Sequence, residues 1–290
     1  MKKVKTITLL TLALWTQGAM TCIELPYPKK TKMKKVFSAP LTQNKVTKQF
    51  FYDRIQQFQN FWSPLLFEKT QKTLTVQVDH ESSKTKIYTT RDMDDNPIIV
   101  ISENITDHSD ITPDAIDFVL CHELGHHLGG APKKMRGRGQ WAKVDWSSVE
   151  GQADYFASLK CLPRYYALSV KEKENDKANT GFYAHYSKED IGKIKTLCRE
   201  PVCERIILAG LSFSRFYSTL REDWPRPVPG VFTNYRVGQT LSKHPEPQCR
   251  LETVVAGTRC FNFYDFDHED PRVGACMEGS GKRPVCWFVY

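Results

Sequence analysis

His122 and His126 stand four residues apart, with Glu123 between them, in the run Cys121-His122-Glu123-Leu124-Gly125-His126-His127. On a helix, positions four apart share one face, so both imidazoles can reach a single divalent ion. Zinc is the borderline-soft ion that suits such nitrogens, at about 2.0–2.1 Å. Glu123 directly follows the first histidine, which places its carboxylate to polarise an ion-bound water rather than to bind the ion. Two histidines do not hold a catalytic ion; a third protein ligand is needed, with one position left to water. Glu150 and Asp154, again four apart, supply it. Glu150 is the expected third ligand, and Asp154 is placed to accept a hydrogen bond from the far ring nitrogen of a ligand histidine. His127 points about 100° away from His126 on a helix and is not expected to bind.

These side chains require helices to carry them. Thr112-Pro113-Asp114 supplies a capping hydroxyl, a proline for the first helical position and an acid for the first turn. Apolar residues recur at Ile116, Phe118, Val119, Leu120, Leu124 and Leu128 before Gly129-Gly130 ends the run. A second helix is expected from near Asp145 or Ser147 to Cys161-Leu162-Pro163, with Gly151 and Ala153 small enough for close helix approach. Upstream, residues 44–62 place Phe50, Phe51, Ile55, Phe58 and Trp62 at near-helical spacing, and Ser63-Pro64 is expected to end that helix. Strand-like runs over 73–78, 86–90 and 98–101 form a small sheet ahead of the metal helix. Its edge is a place where an extended peptide could add as a further strand.

Residues 131–145, basic through Lys133, Lys134, Arg136 and Arg138, read as a solvated loop, as does the charged stretch 171–180. Helices follow over 187–199 and from Pro201 through Phe213, then a proline-rich loop over 223–247 and a short helix over 251–260. The fold class is α+β: mostly helical, with a small sheet before the H-E-x-x-H helix and a disulfide-stapled C-terminal region.

Met1-Lys2-Lys3-Val4-Lys5 is a basic start, and residues 6–15 are an apolar run too short to span a bilayer, so residues 1–21 read as a secretory signal. Ala19-Met20-Thr21 is a poor lipidation motif, so lipid anchoring through Cys22 is not expected. Residues 22–43 form an extended leader, 44–247 the metal-bearing domain, and 248–290 a cystine-rich segment packed on it. An exported chain, periplasmic or secreted, keeps its cysteines oxidised, and seven of the nine lie in the C-terminal half. Cys249–Cys260 and Cys276–Cys286 are candidate short-range pairs, and Cys121, on the apolar face of the metal helix, is the candidate buried thiol left by the odd count. The net charge of +8 falls once Lys2, Lys3 and Lys5 leave with the signal, and the mild basicity that remains suits an anionic envelope surface. Nothing in the sequence resembles a nucleic-acid module, and no later segment reads as a membrane span.

H-E-x-x-H at His122–His126 followed by E-x-x-x-D at Glu150–Asp154 resembles the gluzincin metalloproteases, most closely the group that holds the CAAX prenyl proteases, HtpX and BepA. His244-Pro245 followed by Arg250-Leu251 resembles that group's late His-Pro…Arg motif. The chain departs from the membrane-embedded members in lacking transmembrane helices, and its cystine-rich tail has no counterpart in the pattern. The resemblance carries over neither substrate nor biological role, and a peptide or unfolded protein is the expected substrate. It implies a zincin-like fold, a bound Zn2+, and a role for His244 or Arg250 in stabilising an oxyanion. Tyr183, His185 and Tyr186 are a rival cluster for that last role. Two other readings stay open on the sequence: a catalytically idle binding protein with a structural zinc, and a zinc hydrolase of a non-peptide bond such as a cell-wall amide.

Overall fold

The computed structural model describes residues 20–24, 46–137, 143–168, 181–260 and 269–290. The rest of the leader, the signal segment up to residue 19 and the charged stretch 171–180 lie outside these residues. The fold is α+β and about half helical. A strand β1 (Met20–Glu24) is followed by helix α1 (Lys48–Thr70), strands β2 (Thr75–Asp79), β3 (Lys86–Arg91) and β4 (Pro97–Ser102), and helix α2 (Pro113–Leu128). Strands β5 (Lys133–Arg136) and β6 (Lys143–Ser148) lead into α3 (Glu150–Phe156). One wide turn of π-helix over Ala157–Cys161 joins α3 to α4 (Leu162–Leu168); α5 (Lys188–Leu197), α6 (Pro201–Ser218) and α7 (Pro247–Arg259) complete the helices.

The four-stranded sheet runs β1-β3-β4-β2, with β2 parallel to β4 and β3 antiparallel to both β4 and β1. Ile87, Ile99 and Ile101 face the core, where Phe51, Phe58 and Trp62 of α1 meet Phe118, Val119 and Leu120 of α2. Helix α2 forms as its caps dictate: the Thr112 hydroxyl accepts from the Ala115 amide, and Pro113 occupies the first turn. It is buried almost along its whole length, between the sheet on one side and α3 and α6 on the other.

Several expectations are corrected. Helix α1 runs through Ser63-Pro64 to Thr70; burial of Trp62 and Leu66 on either side holds the segment helical despite the amide that proline lacks. Within the stretch 131–145, of which 138–142 lie outside the described residues, Lys133–Arg136 pairs antiparallel with Lys143–Ser148 as β5 with β6, so the second helix begins at Glu150 rather than near Asp145 or Ser147. Helix α7 starts at Pro247, earlier than the apolar pattern indicates. Its Leu251, Val254 and Val255 belong to the main core.

The cysteine pairs are Cys121–Cys161, Cys198–Cys203, Cys249–Cys286 and Cys260–Cys276. Cys121 is therefore not a thiol but a bridge from α2 to the π-helical turn. Cys249 and Cys260 sit at opposite ends of α7, roughly 16 Å apart along the axis, beyond the reach of a disulfide. Each instead bonds to the C-terminal segment, which is fastened to α7 at both ends.

Close helix approach occurs at Ala153, as expected, but not at Gly151. A Cβ on Gly125 of α2 would lie 2.9 Å from the Ala153 backbone of α3, so this pair sets the helix contact. Gly151 faces away from α2: the Trp287 indole fills the space its side chain would take, 2.2 Å from a Cβ built there.

Candidate metal centre

His122, Glu123 and His126 are all buried at about 1% exposure or less, and their ligand-type atoms lie within 4.8 Å of one another. This cluster could hold a metal ion. The close packing of α2 on α3 then brings Glu150 in from the second helix. Its Oε2 lies 3.2 Å from His122 Nε2 and 3.6 Å from His126 Nε2.

The ring nitrogens turned away from this point are already committed. The Ser148 carbonyl oxygen can only accept, so His126 Nδ1, 2.8 Å away, is the donor and carries the proton. Asp154 Oδ1 accepts from His122 Nδ1 at 2.8 Å. Burial lowers His126 to about 4, despite the pull of Glu150. The ring is thus neutral, and its Nε2 lone pair is aimed at a carboxylate oxygen. Glu150 Oε2 is itself buried and makes no hydrogen bond; the His122 contact is close enough but poorly directed. His126 Nε2 and this oxygen are two acceptors facing each other in a dry site, which repel unless a cation stands between them. The donor set of two imidazoles and a carboxylate therefore fits a divalent ion.

Glu150 and Asp154 are both held ionised. For Glu150, burial alone would raise the pKa, but His244, His126 and Lys134 outweigh it and hold the carboxyl well below its usual range. For Asp154 the same opposition is won by Arg250 and His122. His122 sits between these two carboxylates. Its burial works against a charge, yet Asp154, with help from Glu150, raises it to about 9.

Arg250 reaches the centre from behind. Its Nε donates to Asp154 Oδ2 at 2.9 Å and its Nη2 to Oδ1 at 2.7 Å, while the guanidinium packs on the rings of Phe213 and Tyr217 at 4.7 and 4.6 Å. Arg250 Nη2 also lies 3.3 Å from His122 Nδ1, so the arginine meets the cluster at Asp154 and at the Nδ1 side of His122. His244 is brought by the loop before α7: its Nδ1 is 3.0 Å from Glu150 Oε2, its ring packs near Tyr217, and its side chain is 20% exposed.

The remaining expectations resolve as follows. His127 is turned to the sheet, bonded to Thr89 and stacked on Trp146 at 4.5 Å. Tyr183 donates to Glu204, and Tyr186 donates to the Leu208 carbonyl, so the rival aromatic cluster serves α6. Lys134, read from sequence as a solvated residue, instead has its Nζ 2.6 Å from Glu150 Oε1 with a side chain only 13% exposed. No periodicity marks it in the sequence; its placement follows from the β5–β6 pairing. Comparison of the chain with protein-family profiles, with curated proteins and with solved structures finds no match.

Replacing Asp154 by Ala leaves Arg250 buried without its partner and His122 without its acceptor. Urea unfolding should show a loss of about 3–5 kcal/mol. In whatever folded protein remains, affinity for an added divalent ion, measured by chelator competition, should fall roughly 10–100-fold.

Proposed function

We propose that this chain is an exported zinc-dependent endopeptidase of gluzincin type, with His122, His126 and Glu150 as the metal ligands. The observation that carries the reading is the meeting of the two imidazole Nε2 atoms with the unbonded Glu150 Oε2, beside Glu123. A divalent ion held by that set would supply an acidified water and a Lewis acid for the scissile carbonyl. Glu123 takes the water's proton and passes it to the leaving amine. Asp154 keeps His122 in the tautomer that presents Nε2, and the Ser148 carbonyl does the same for His126. His244, the partly exposed group of the cluster, is the donor for the developing oxyanion. Arg250, with two nitrogens on Asp154, holds the ligand frame instead. Four disulfides support an oxidising compartment, and no described helix is long and apolar enough to cross a membrane.

One observation favours a second reading. The 3.0 Å approach of His244 to Glu150 Oε2 offers a further nitrogen that would close the ligand set and make the ion structural. His244→Ala separates the two: as an enzyme the variant keeps its zinc and loses turnover, whereas as a structural site it loses zinc.

Glu123→Gln should retain zinc but lose casein cleavage by about 10²–10⁴-fold, because the proton acceptor is gone while the ligands remain. Equal cleavage by both proteins would remove the assigned base.

Metal uptake should also be linked to pH. With His122 raised to about 9, the metal-free protein carries a proton there at neutral pH, and an ion must expel it. Affinity for zinc therefore rises with pH through the neutral range and flattens above about 9. Calorimetric titration in buffers of different ionisation enthalpy reads this directly: a proton released near pH 7 and none above the plateau.

A further inference from the structure

Glu150 uses its two oxygens differently. Oε2 faces the imidazoles, and Oε1 is held by Lys134 Nζ at 2.6 Å. Lys134 is not a chance visitor from a mobile surface. The loop between α2 and β5 is strapped to the start of α3. Ser148 Oγ donates to the Gly130 carbonyl at 2.6 Å, the Val149 amide to Pro132 O at 2.9 Å, and Gln152 Nε2 to Gly129 O at 2.7 Å. These bonds fix where β5 starts relative to Glu150. Within the strand the neighbouring basic residues go elsewhere, Lys133 to the Trp146 carbonyl and Arg136 to Asp145. Lys134 alone among them is directed at the metal cluster.

We propose that Lys134 is a positioning residue that makes Glu150 a one-oxygen ligand. A carboxylate beside a divalent ion can bind through one oxygen or both. A charge-assisted bond from a lysine to Oε1 commits that oxygen and leaves Oε2 for the ion. The effect is to keep the coordination number low, so that a position stays open for water, as a catalytic zinc site requires. This rests on the assignment of Glu150 as a ligand. A salt bridge that merely pinned the strand pair to α3 would stabilise the fold without affecting how many oxygens the carboxylate lends.

Cobalt substitution tests it, because the visible band of Co2+ is intense for a tetrahedral ion and weak for a higher coordination number. The whole chain, purified oxidised and stripped of metal, is titrated with Co2+ as wild type, Lys134→Met and Lys134→Arg. The wild type and Lys134→Arg should share the intense band. Lys134→Met should take up cobalt with the band weakened by more than half, as Oε1 turns in to join Oε2. Circular dichroism of each variant reports folding; should Lys134→Met fail to fold, Lys134→Gln, which keeps a donor, replaces it and should retain the band. An unchanged band in folded Lys134→Met, or a weakened band in folded Lys134→Gln, overturns the proposal. Failure of the underlying assignment looks different: wild type then takes up no cobalt, or Glu150→Gln shows the wild-type spectrum.

Discussion

Glu150 Oε2 is a buried carboxylate oxygen without a well-directed hydrogen bond, set among the ring nitrogens of His122, His126 and His244. Such an arrangement is costly in a dry interior, where polar groups normally pair. The fold holds it from several directions. Asp154 and Ser148 fix the two rings, Lys134 fixes the far side of the carboxylate, and the Gly125–Ala153 contact fixes the distance between the helices that carry them. A buried arginine in turn balances Asp154, clasped by Phe213 and Tyr217 of α6. The polar core is thus one chain of contacts, from α7 through α3 to α2.

The disulfides continue the same logic outward. Cys121 immediately precedes His122 and is bonded to Cys161 in the turn that follows α3. Cys249 immediately precedes Arg250 and is bonded to Cys286, next to the Trp287 indole that covers Gly151. Two of the four bridges are therefore anchored beside residues of the candidate metal centre. The C-terminal segment acts as a lid screwed onto α3 and α7, and this is why a tail without periodicity of its own matters to the site.

The part of this legible in the sequence is the part written in local pattern. Thr112-Pro113 and the apolar spacing set α2, and spacing by four sets both the His122–His126 and the Glu150–Asp154 pairs. What the sequence hid is non-local. Strands β5 and β6 are short, β5 is basic, and neither stands out as a half-buried strand in the sequence, because they are held by main-chain bonds and by side chains such as Lys133 and Arg136. Lys134 could be recognised only once that pairing was known. Proline at 64 reads locally as a stop, yet the core on both sides outweighs it. Arg250 is marked by its motif, but the side from which it approaches His122 depends on how α7 packs on α3. The cysteine partners likewise follow from where α7 ends, not from separation along the chain.

The claim beneath all of this is that carboxylate and imidazoles from two helices share one ion. Zinc content of the purified chain, measured beside that of Glu150→Gln, tests it most directly, since glutamine keeps the shape and removes the charge. The account predicts a single tightly held zinc in the wild type and little or none in the variant. Equal zinc in both proteins, or none in a folded wild type supplied with the ion, would contradict it.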